Sequence, residues 1–199
     1  MRAADKKIIG IIEDRGGLAR TRDFLAAGIH PQDLYRMRDE GVLECVARGL
    51  YQIAGQLPAD PDLATICRKI PEGVVCLISA LSIHEITTEI PRSVNVALKR
   101  GAEKPRIDYP PVQYYWMSGA AFTEGVEKHD IGGFDVPVYC VEKTLADCFK
   151  YRNKIGMDVV LEALKFYRER CRFDGTKIMH YARVCRVDNI MRPYLEATL

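Results

Sequence analysis

The sequence lacks long hydrophobic runs. About half of its 199 residues are apolar, yet no stretch approaches the roughly 20 apolar residues that a membrane-spanning helix needs. Residues 1–7 are charged and are not followed by the apolar segment of a secretory signal. The sequence therefore predicts a cytoplasmic protein with a packed core and no membrane partner.

Cysteine pairs with the spacing of a metal site are also missing. The seven cysteines are odd in number and widely spaced, and no Cys-x-x-Cys pair occurs. This pattern is typical of reduced thiols and not of a disulfide framework or a structural zinc site. Because free cysteine is often buried, we expect most of them to be small core residues. They are Cys45, Cys67, Cys76, Cys140, Cys148, Cys171 and Cys185.

Several common catalytic and cofactor-binding motifs are absent. The glycine pairs at 16–17 and 132–133 lack the Lys and Ser/Thr of a phosphate-binding loop, and no serine lies in a nucleophile elbow. His84 and Glu85 begin like a zinc-protease motif, but Thr88 stands where the second histidine would be. We predict no catalytic residue, no metal site and no cofactor.

A helix-turn-helix pattern is present near the N-terminus. Isoleucines at helical spacing predict a first helix over residues 5–14, and Thr21 is expected to cap a second helix over residues 22–27. Gly28 ends this helix, and a short turn leads to Pro31, a residue suited to the first position of a helix.

The third predicted helix, which ends at Gly41, carries candidate base-reading residues. Leu34 and Met37 are three residues apart and should face the core. Gln32, Tyr35 and Arg36 lie away from that face, where they could bind base edges or phosphates. We predict these three as DNA-reading residues.

A β-hairpin is predicted after the third helix. Its strands cover residues 42–46 and 50–53, and Gly49 lies in the turn, where a positive φ is often needed. Arg48 at the tip could reach a phosphate or a minor groove. The whole order predicts a winged helix-turn-helix, although a solvated helix and hairpin of a small α/β protein would give the same pattern.

The start of the second helix offers a phosphate site. Arg20, Thr21 and Arg22 stand where backbone N–H groups and the helix dipole favour an anion, although both arginines could simply be solvated. Residues 1–55 carry nine Lys/Arg and eight Asp/Glu. DNA binding by so neutral a region requires its positive charges to share one face.

The rest of the chain predicts a mixed α/β domain. Two prolines mark residues 56–61 as a linker, so we predict a winged-helix domain over 1–55 and an α/β domain over 62–199. The predicted strands are 93–98, 112–117 and the hairpin 126–131 with 134–139. The predicted helices include 142–152, 157–170 and a basic helical C-terminus with Thr176 and Asp188 as caps.

Several of these segments resemble the AbiEi antitoxins of bacterial abortive-infection systems. Residues 141–149, which directly follow a predicted strand, resemble the core of the C-terminal domain in that family. The N-terminal resemblance includes the wing sequence Arg-Gly-Leu-Tyr at 48–51. The N-terminal resemblance as a whole rests on residues 17–22, 28–31, 34–41 and 47–51.

The resemblance implies a transcriptional autorepressor and antitoxin without enzymatic activity. A winged-helix domain would bind inverted repeats in operator DNA upstream of its own operon. The α/β domain would neutralise a nucleotidyltransferase-like toxin in a type IV toxin–antitoxin system used for phage defence. The resemblance leaves open whether neutralisation needs direct binding to the toxin.

Two other functions stay open at this point. One is a nucleic-acid-processing enzyme with a winged-helix targeting domain; its candidates are Glu85, Asp108, Glu142, Lys143 and Asp147. A metal-dependent nuclease needs converging carboxylates, whereas two positions five apart on a helix point in different directions. The other is a protein-interaction module. Salt dependence distinguishes the two, because DNA binding through several phosphates weakens steeply as the salt concentration rises.

Overall fold

The structure is a computed structural model that describes residues 2–15, 17–55, 60–131 and 134–196. The chain divides into two compact units. The first comprises Met1–Pro71 together with His129–Val136, and the second comprises Glu72–Lys128 and Pro137–Leu199. The first unit thus continues beyond the predicted linker, of which residues 56–59 lie outside the described residues.

The first unit has the winged helix-turn-helix fold. Strand β3 lies between β1 and β2 and is antiparallel to both. Along the chain, the first strand is followed by two helices and then by the β-hairpin. Strand β1 was not predicted, because three residues are too few to show an alternating pattern. In chain order the elements are α1 Ala3–Asp14, β1 Leu18–Arg20, α2 Thr21–Ala26, α3 Pro31–Asp39, β2 Leu43–Ala47, β3 Leu50–Ile53 and α4 Pro61–Lys69.

One apolar cluster holds the helices of the winged helix to its sheet. Leu34 and Met37 face this cluster, as their spacing predicts, and are almost fully buried. The ring of Tyr51 in β3 packs edge-on against that of Phe24 in α2, with 6.1 Å between ring centres. Burial of these side chains therefore fixes which face of α3 remains exposed.

The start of α2 differs from the prediction. Thr21 is the first residue of the helix and Arg20 is its N-cap. The carboxylate of Asp23 accepts a hydrogen bond from the Arg20 N–H at 2.8 Å. The expected capping role of Thr21 is therefore wrong, and its hydroxyl instead donates to the carbonyl oxygen of Gly49 at 3.2 Å.

The second unit is built on a mixed sheet with strand order β6-β5-β4-β8-β7. Strand β5 is parallel to β6 and antiparallel to β4, and β4 is parallel to β8. Part of the β7–β8 hairpin is counted with the first unit. The elements are β4 Val74–Val75, α5 Leu77–Ile83, β5 Val94–Lys99, β6 Val112–Met117, α6 Ala120–Thr123, β7 Val126–Ile131, β8 Phe134–Tyr139, α7 Val141–Lys150, α8 Arg152–Ile155, α9 Met157–Arg170, α10 Gly175–Cys185 and α11 Asp188–Glu196.

Helix α7 forms the centre of the second unit. Every residue from Glu142 to Phe149 is buried, because α5, α9 and α10 all pack against this helix. Its predicted continuation to residue 152 breaks after Lys150, where α8 begins. Asp174 caps α10 by accepting a hydrogen bond from the Lys177 N–H at 2.9 Å, so the cap predicted at Thr176 is wrong by two residues.

Most of the cysteines are buried, as expected of small core residues. Cys76, Cys140, Cys148 and Cys185 are buried, and all seven cysteines are free thiols. Burial raises the pKa of Cys76 and Cys148 well above the ordinary value of a thiol, which keeps both protonated and unreactive. Across the part of the chain that the structure describes, no helix is both long and apolar enough to cross a membrane.

Candidate nucleic-acid interface

The exposed face of α3 presents Gln32 and Tyr35, two of the predicted DNA-reading residues. Both side chains are exposed, and Tyr35 retains 46% of its surface. Pro31 begins this helix, and the ring of His30 accepts a hydrogen bond from the Gln32 N–H at 3.3 Å. Because Leu34 anchors the opposite face, the backbone holds these two side chains outward.

Arg38 belongs to the same exposed face, although the sequence analysis did not select it. Its guanidinium lies 5.3 Å from the centre of the Tyr35 ring and donates to Asp39 at 2.8 Å. The spacing of three residues between Tyr35 and Arg38, which brings side chains together on a helix, was the signal that could have identified it.

Arg36, the third predicted DNA-reading residue, is engaged by carboxylates from two helices. Its guanidinium forms ion pairs with Asp5 of α1, with Asp33 at 3.5 Å and with Glu40 at 2.9 Å. Only 23% of the side chain is exposed. A contact between Arg36 and a base would therefore require the guanidinium to leave these carboxylates.

The ion pairs around Arg36 also shift protonation. Hydrogen bonds to Asp5 and then to Glu40 raise the pKa of the Arg36 guanidinium. The pKa of Asp5 is lowered, first by the hydrogen bond from the Arg2 N–H and next by Arg36. The Asp5 carboxylate and the Arg36 guanidinium therefore both stay charged at neutral pH, and Arg36 connects α3 to α1.

The turn of the wing is attached to the start of α2. Both the N–H and the hydroxyl of Thr21 lie within hydrogen-bond distance of the Gly49 carbonyl oxygen, at 2.8 and 3.2 Å. Gly49 has φ +70°, and a Cβ there would lie 3.1 Å from the Thr21 hydroxyl. The neighbouring Arg48 is exposed, and the adjacent Gly49 attaches the wing to Thr21.

The two arginines at the start of α2 differ in exposure. Arg22 is 63% exposed and lies 3.8 Å from Asp23 and 3.4 Å from Asp135, which is part of the same unit. Arg20 is half-buried. A phosphate at this position would compete with the two carboxylates for the charge of Arg22.

The candidates for enzymatic chemistry lie apart from one another or are already paired. Glu85 and Asp108 are exposed. Glu142 accepts hydrogen bonds from Tyr167 at 3.0 Å and pairs with Lys177 at 2.8 Å. Lys143 and Asp147 pair with each other, as discussed below. Among the described residues, no group of three or more His, Cys, Asp or Glu side chains could hold a metal ion.

The rejected zinc motif takes a simple packing role. The Nε2 atom of His84 lies 2.7 Å from the Tyr139 carbonyl oxygen, within hydrogen-bond distance. His84 caps the C-terminal end of α5. This arrangement agrees with the polar packing role that its incomplete motif favours.

The N-terminal region matches a known family. Residues 7–54 match the model of a family described as transcriptional regulator, AbiEi antitoxin. This match confirms the resemblance to AbiEi antitoxins that the sequence of the N-terminal region shows. The matched segment spans about a quarter of the chain and runs from α1 through β3.

Comparison with solved structures adds a distant similarity. The crystal structure of the RV2827C protein from Mycobacterium tuberculosis is 15% identical, with 94% of this chain and 77% of that chain covered, at a TM-score of 0.42. A similarity at this level carries no argument about function. No curated protein matches the chain significantly.

Proposed function

We propose that this protein is a DNA-binding autorepressor and antitoxin that counteracts a nucleotidyltransferase-like toxin encoded in the same operon. The observation that carries the proposal is the agreement between the family match over residues 7–54 and the winged-helix fold of the same residues. Autorepression and the nature of the toxin rest on the family resemblance.

Helix α3 is the proposed recognition helix. In a helix-turn-helix the second helix of the pair enters the major groove, and a Gln side chain there can bind adenine through both of its polar atoms. Gln32 and Tyr35 are exposed on α3 and are the proposed base readers, with Arg38 beside Tyr35. Arg36 is assigned a positioning role, because its carboxylate partners hold it between α1 and α3.

The wing and the start of α2 are the proposed phosphate contacts. Arg48 is exposed at the wing, and the Gly49 carbonyl holds the wing against Thr21. Arg20 and Arg22 flank Thr21 in sequence and complete the proposed set. Because phosphate contacts carry no sequence information, these residues would set affinity and salt dependence, while Gln32 and Tyr35 would set specificity.

The direct test is a gel shift of the full-length protein on the DNA upstream of its own reading frame. Unrelated competitor DNA and a salt series accompany it. We expect a specific shift that weakens steeply with salt, since phosphate binding releases counterions. A shift that unrelated DNA removes equally well would contradict the repressor role.

Matched variants distinguish the residues that read bases from the residue that positions α3. Gln32→Ala should cost about 1–3 kcal/mol and relax specificity at one base pair, whereas Arg48→Gln should weaken all sequences alike and reduce the salt slope by about one. Arg36→Ala should lower the melting temperature while base preference stays the same. Lys165→Gln, an exposed charge on α9, is the control for charge loss. A change of base preference in Arg36→Ala would return Arg36 to the reading set.

The antitoxin role has a separate test. Expression of the neighbouring nucleotidyltransferase gene alone should arrest growth, and co-expression of this protein should restore it. The Gln32→Ala variant should still restore growth, because operator reading and neutralisation are assigned to different units. Failure of the wild-type protein to restore growth would contradict the antitoxin role and leave DNA binding unaffected.

A second candidate function is a protein-interaction module. The balance of nine Lys/Arg and eight Asp/Glu in residues 1–55 favours it, because DNA-binding regions are usually basic. The gel shift distinguishes the two: an interaction module would show no specific shift at low salt. The enzyme alternative would require turnover of nucleic acid that Glu142→Ala abolishes.

A further inference from the structure

A cleft in the second unit is lined by polar, charged and apolar side chains. Its volume is about 580 Å³, within the size range of small-molecule sites. It lies over one face of β5 and β6 and is bordered by the segment between α5 and β5 and by α8. We call it the β5–β6 cleft. Its lining includes Ile78, Arg92, Asn95, Tyr115, Lys154 and Ile155.

Asn95 supplies one hydrogen-bond donor to this cleft. The residue is only 6% exposed. Its Oδ1 accepts a hydrogen bond from the Ser79 N–H at 3.3 Å, and its own N–H donates to the Ser79 hydroxyl at 2.9 Å. The bond to Oδ1 orients the carboxamide, whose Nδ2 is a hydrogen-bond donor in the lining of the cleft.

Tyr115 supplies the second donor. It is 7% exposed, and its ring packs against that of Tyr151 with 5.0 Å between ring centres. Burial raises the pKa of Tyr115, so the hydroxyl stays protonated and can donate. Asn95 and Tyr115 lie on the same face of the sheet, because Asn95 pairs with Gln113 and Ala97 pairs with Tyr115 in the parallel ladder.

Charge and apolar surface complete the site. Lys154 lies 6.0 Å from the centre of the Tyr115 ring, and Arg92 contributes a second exposed cation, against one acid, Glu89, in the lining. Ile78 and Ile155 provide apolar wall. Donors and cations at one side select an anionic group, while the isoleucines suit a hydrocarbon body.

We propose that the β5–β6 cleft binds a small organic anion with a carboxylate or phosphate group. The anionic oxygens accept hydrogen bonds from Asn95 Nδ2 and the Tyr115 hydroxyl and are neutralised by Lys154. The apolar part of the ligand packs between Ile78 and Ile155. This site goes beyond the proposed DNA-binding and antitoxin roles and does not depend on either.

The test is isothermal titration calorimetry of the full-length protein with matched probes at neutral pH. Benzoate and phenyl phosphate carry the two candidate anionic groups, benzamide is the neutral analogue, and inorganic phosphate lacks the apolar body. We expect benzoate or phenyl phosphate to bind with a dissociation constant below about 1 mM, and benzamide and inorganic phosphate to bind at least about tenfold more weakly. The stronger of the two anions identifies the group.

Variants locate the binding. Tyr115→Phe and Lys154→Gln should each weaken binding of that anion by about three- to tenfold, and Asn95→Asp should weaken it further by repulsion. Lys165→Gln should leave it unchanged. Because Asn95→Asp alters a buried residue, a thermal melt checks its folding, and the other two variants test the site without it. Equal binding of benzamide, unchanged affinity in Tyr115→Phe and Lys154→Gln, or no binding of either organic anion would overturn the proposal.

Discussion

The two units each contain a helix with a cation and a carboxylate four residues apart, and the environment gives these pairs opposite meanings. Arg36 and Glu40 on α3 retain 23% and 50% of their side-chain exposure. The side chains of Lys143 and Asp147 on α7 are fully buried, and their Nζ and Oδ2 atoms lie 2.5 Å apart. An exposed pair adds little stability, whereas breaking a buried pair leaves an uncompensated charge in the core.

The pKa values of the carboxylates in the two networks are also shifted in opposite directions. The pKa of Asp5 in the Arg36 network is lowered, because hydrogen bonds favour its ionised form. The pKa of Asp147 is raised, because burial outweighs the opposing effects of Lys143 and of the Cys185 thiol, which donates to Oδ1 at 3.2 Å. The Lys143 ammonium also lies 4.1 Å from the centre of the Tyr139 ring. The balance between hydrogen bonding and burial therefore sets the direction of the pKa shift in each network.

The largest expected effect comes from breaking the buried pair. Lys143→Met should reduce the free energy of unfolding by about 3–5 kcal/mol, because it leaves Asp147 without its counter-charge. Urea denaturation measures the loss. Combining it with Asp147→Leu should recover most of the stability, and Lys150→Met at the exposed end of α7 is the control. A loss below about 1 kcal/mol in the single variant would remove the contrast between the two pairs.

A pair of glycine variants compares packing in the two units. Gly125 has φ +76° and Gly49 has φ +70°, so alanine strains both backbones. A Cβ at Gly125 would lie 2.9 Å from the Lys143 Cβ, whereas one at Gly49 would lie 3.1 Å from the Thr21 hydroxyl. Gly125→Ala should therefore reduce the free energy of unfolding by about 1–3 kcal/mol more than Gly49→Ala, because the added methyl group overpacks the interior. Equal losses in thermal or urea melts would show that α7 adjusts as easily as the wing.

The pH dependence of Asp5→Asn tests the ion-pair network around Arg36. Because the pKa of Asp5 is lower in the folded protein than its ordinary value of 3.8, its contribution is present above that value and is lost as the pH falls through the lowered pKa. The wild-type protein should be more stable than Asp5→Asn at neutral pH, and the difference should shrink below pH 3.8. A constant difference across this range, in urea titrations, would show that the charge of Asp5 contributes nothing.

The smallest effect is expected at an exposed pair with the same spacing in the second unit. Lys165 and Glu169 lie 3.9 Å apart with 70% and 52% of their side chains exposed. Lys165→Gln should leave the urea midpoint unchanged within error, since solvent screens such pairs. A clear loss would mean that membership of the second unit, and not burial, strengthens its ion pairs.

Most elements could be predicted because their signals are local. The strand 112–117, the hairpin strands at 126–131 and 134–139, and the helix 157–170 have the predicted bounds, since alternation and helical spacing report directly on which face is buried. Strand β1 escaped prediction because three residues show no period, and its pairing with β3 joins residues about thirty positions apart.

The candidate interface was predicted in part. The sequence placed Gln32, Tyr35 and Arg36 on the outer face of a helix, and spacing alone could not distinguish them. Asp5, thirty-one residues earlier in the chain, is the partner that separates Arg36 from the other two. The reading role of Gln32 and Tyr35 and the phosphate role of Arg48 stay predictions.

Local chemistry determined the elements and the family resemblance of this protein, since caps, turn glycines and apolar spacing act over a few residues. Tertiary structure decided which of its charged groups are buried and which are exposed. Lys143 and Asp147 resemble an ordinary surface pair in the sequence, but three helices cover them. Asn95, Tyr115 and Lys154 line one cleft only because the fold brings β5, β6 and α8 together. Burial depends on contacts distant in sequence, and burial sets the energy of a polar group.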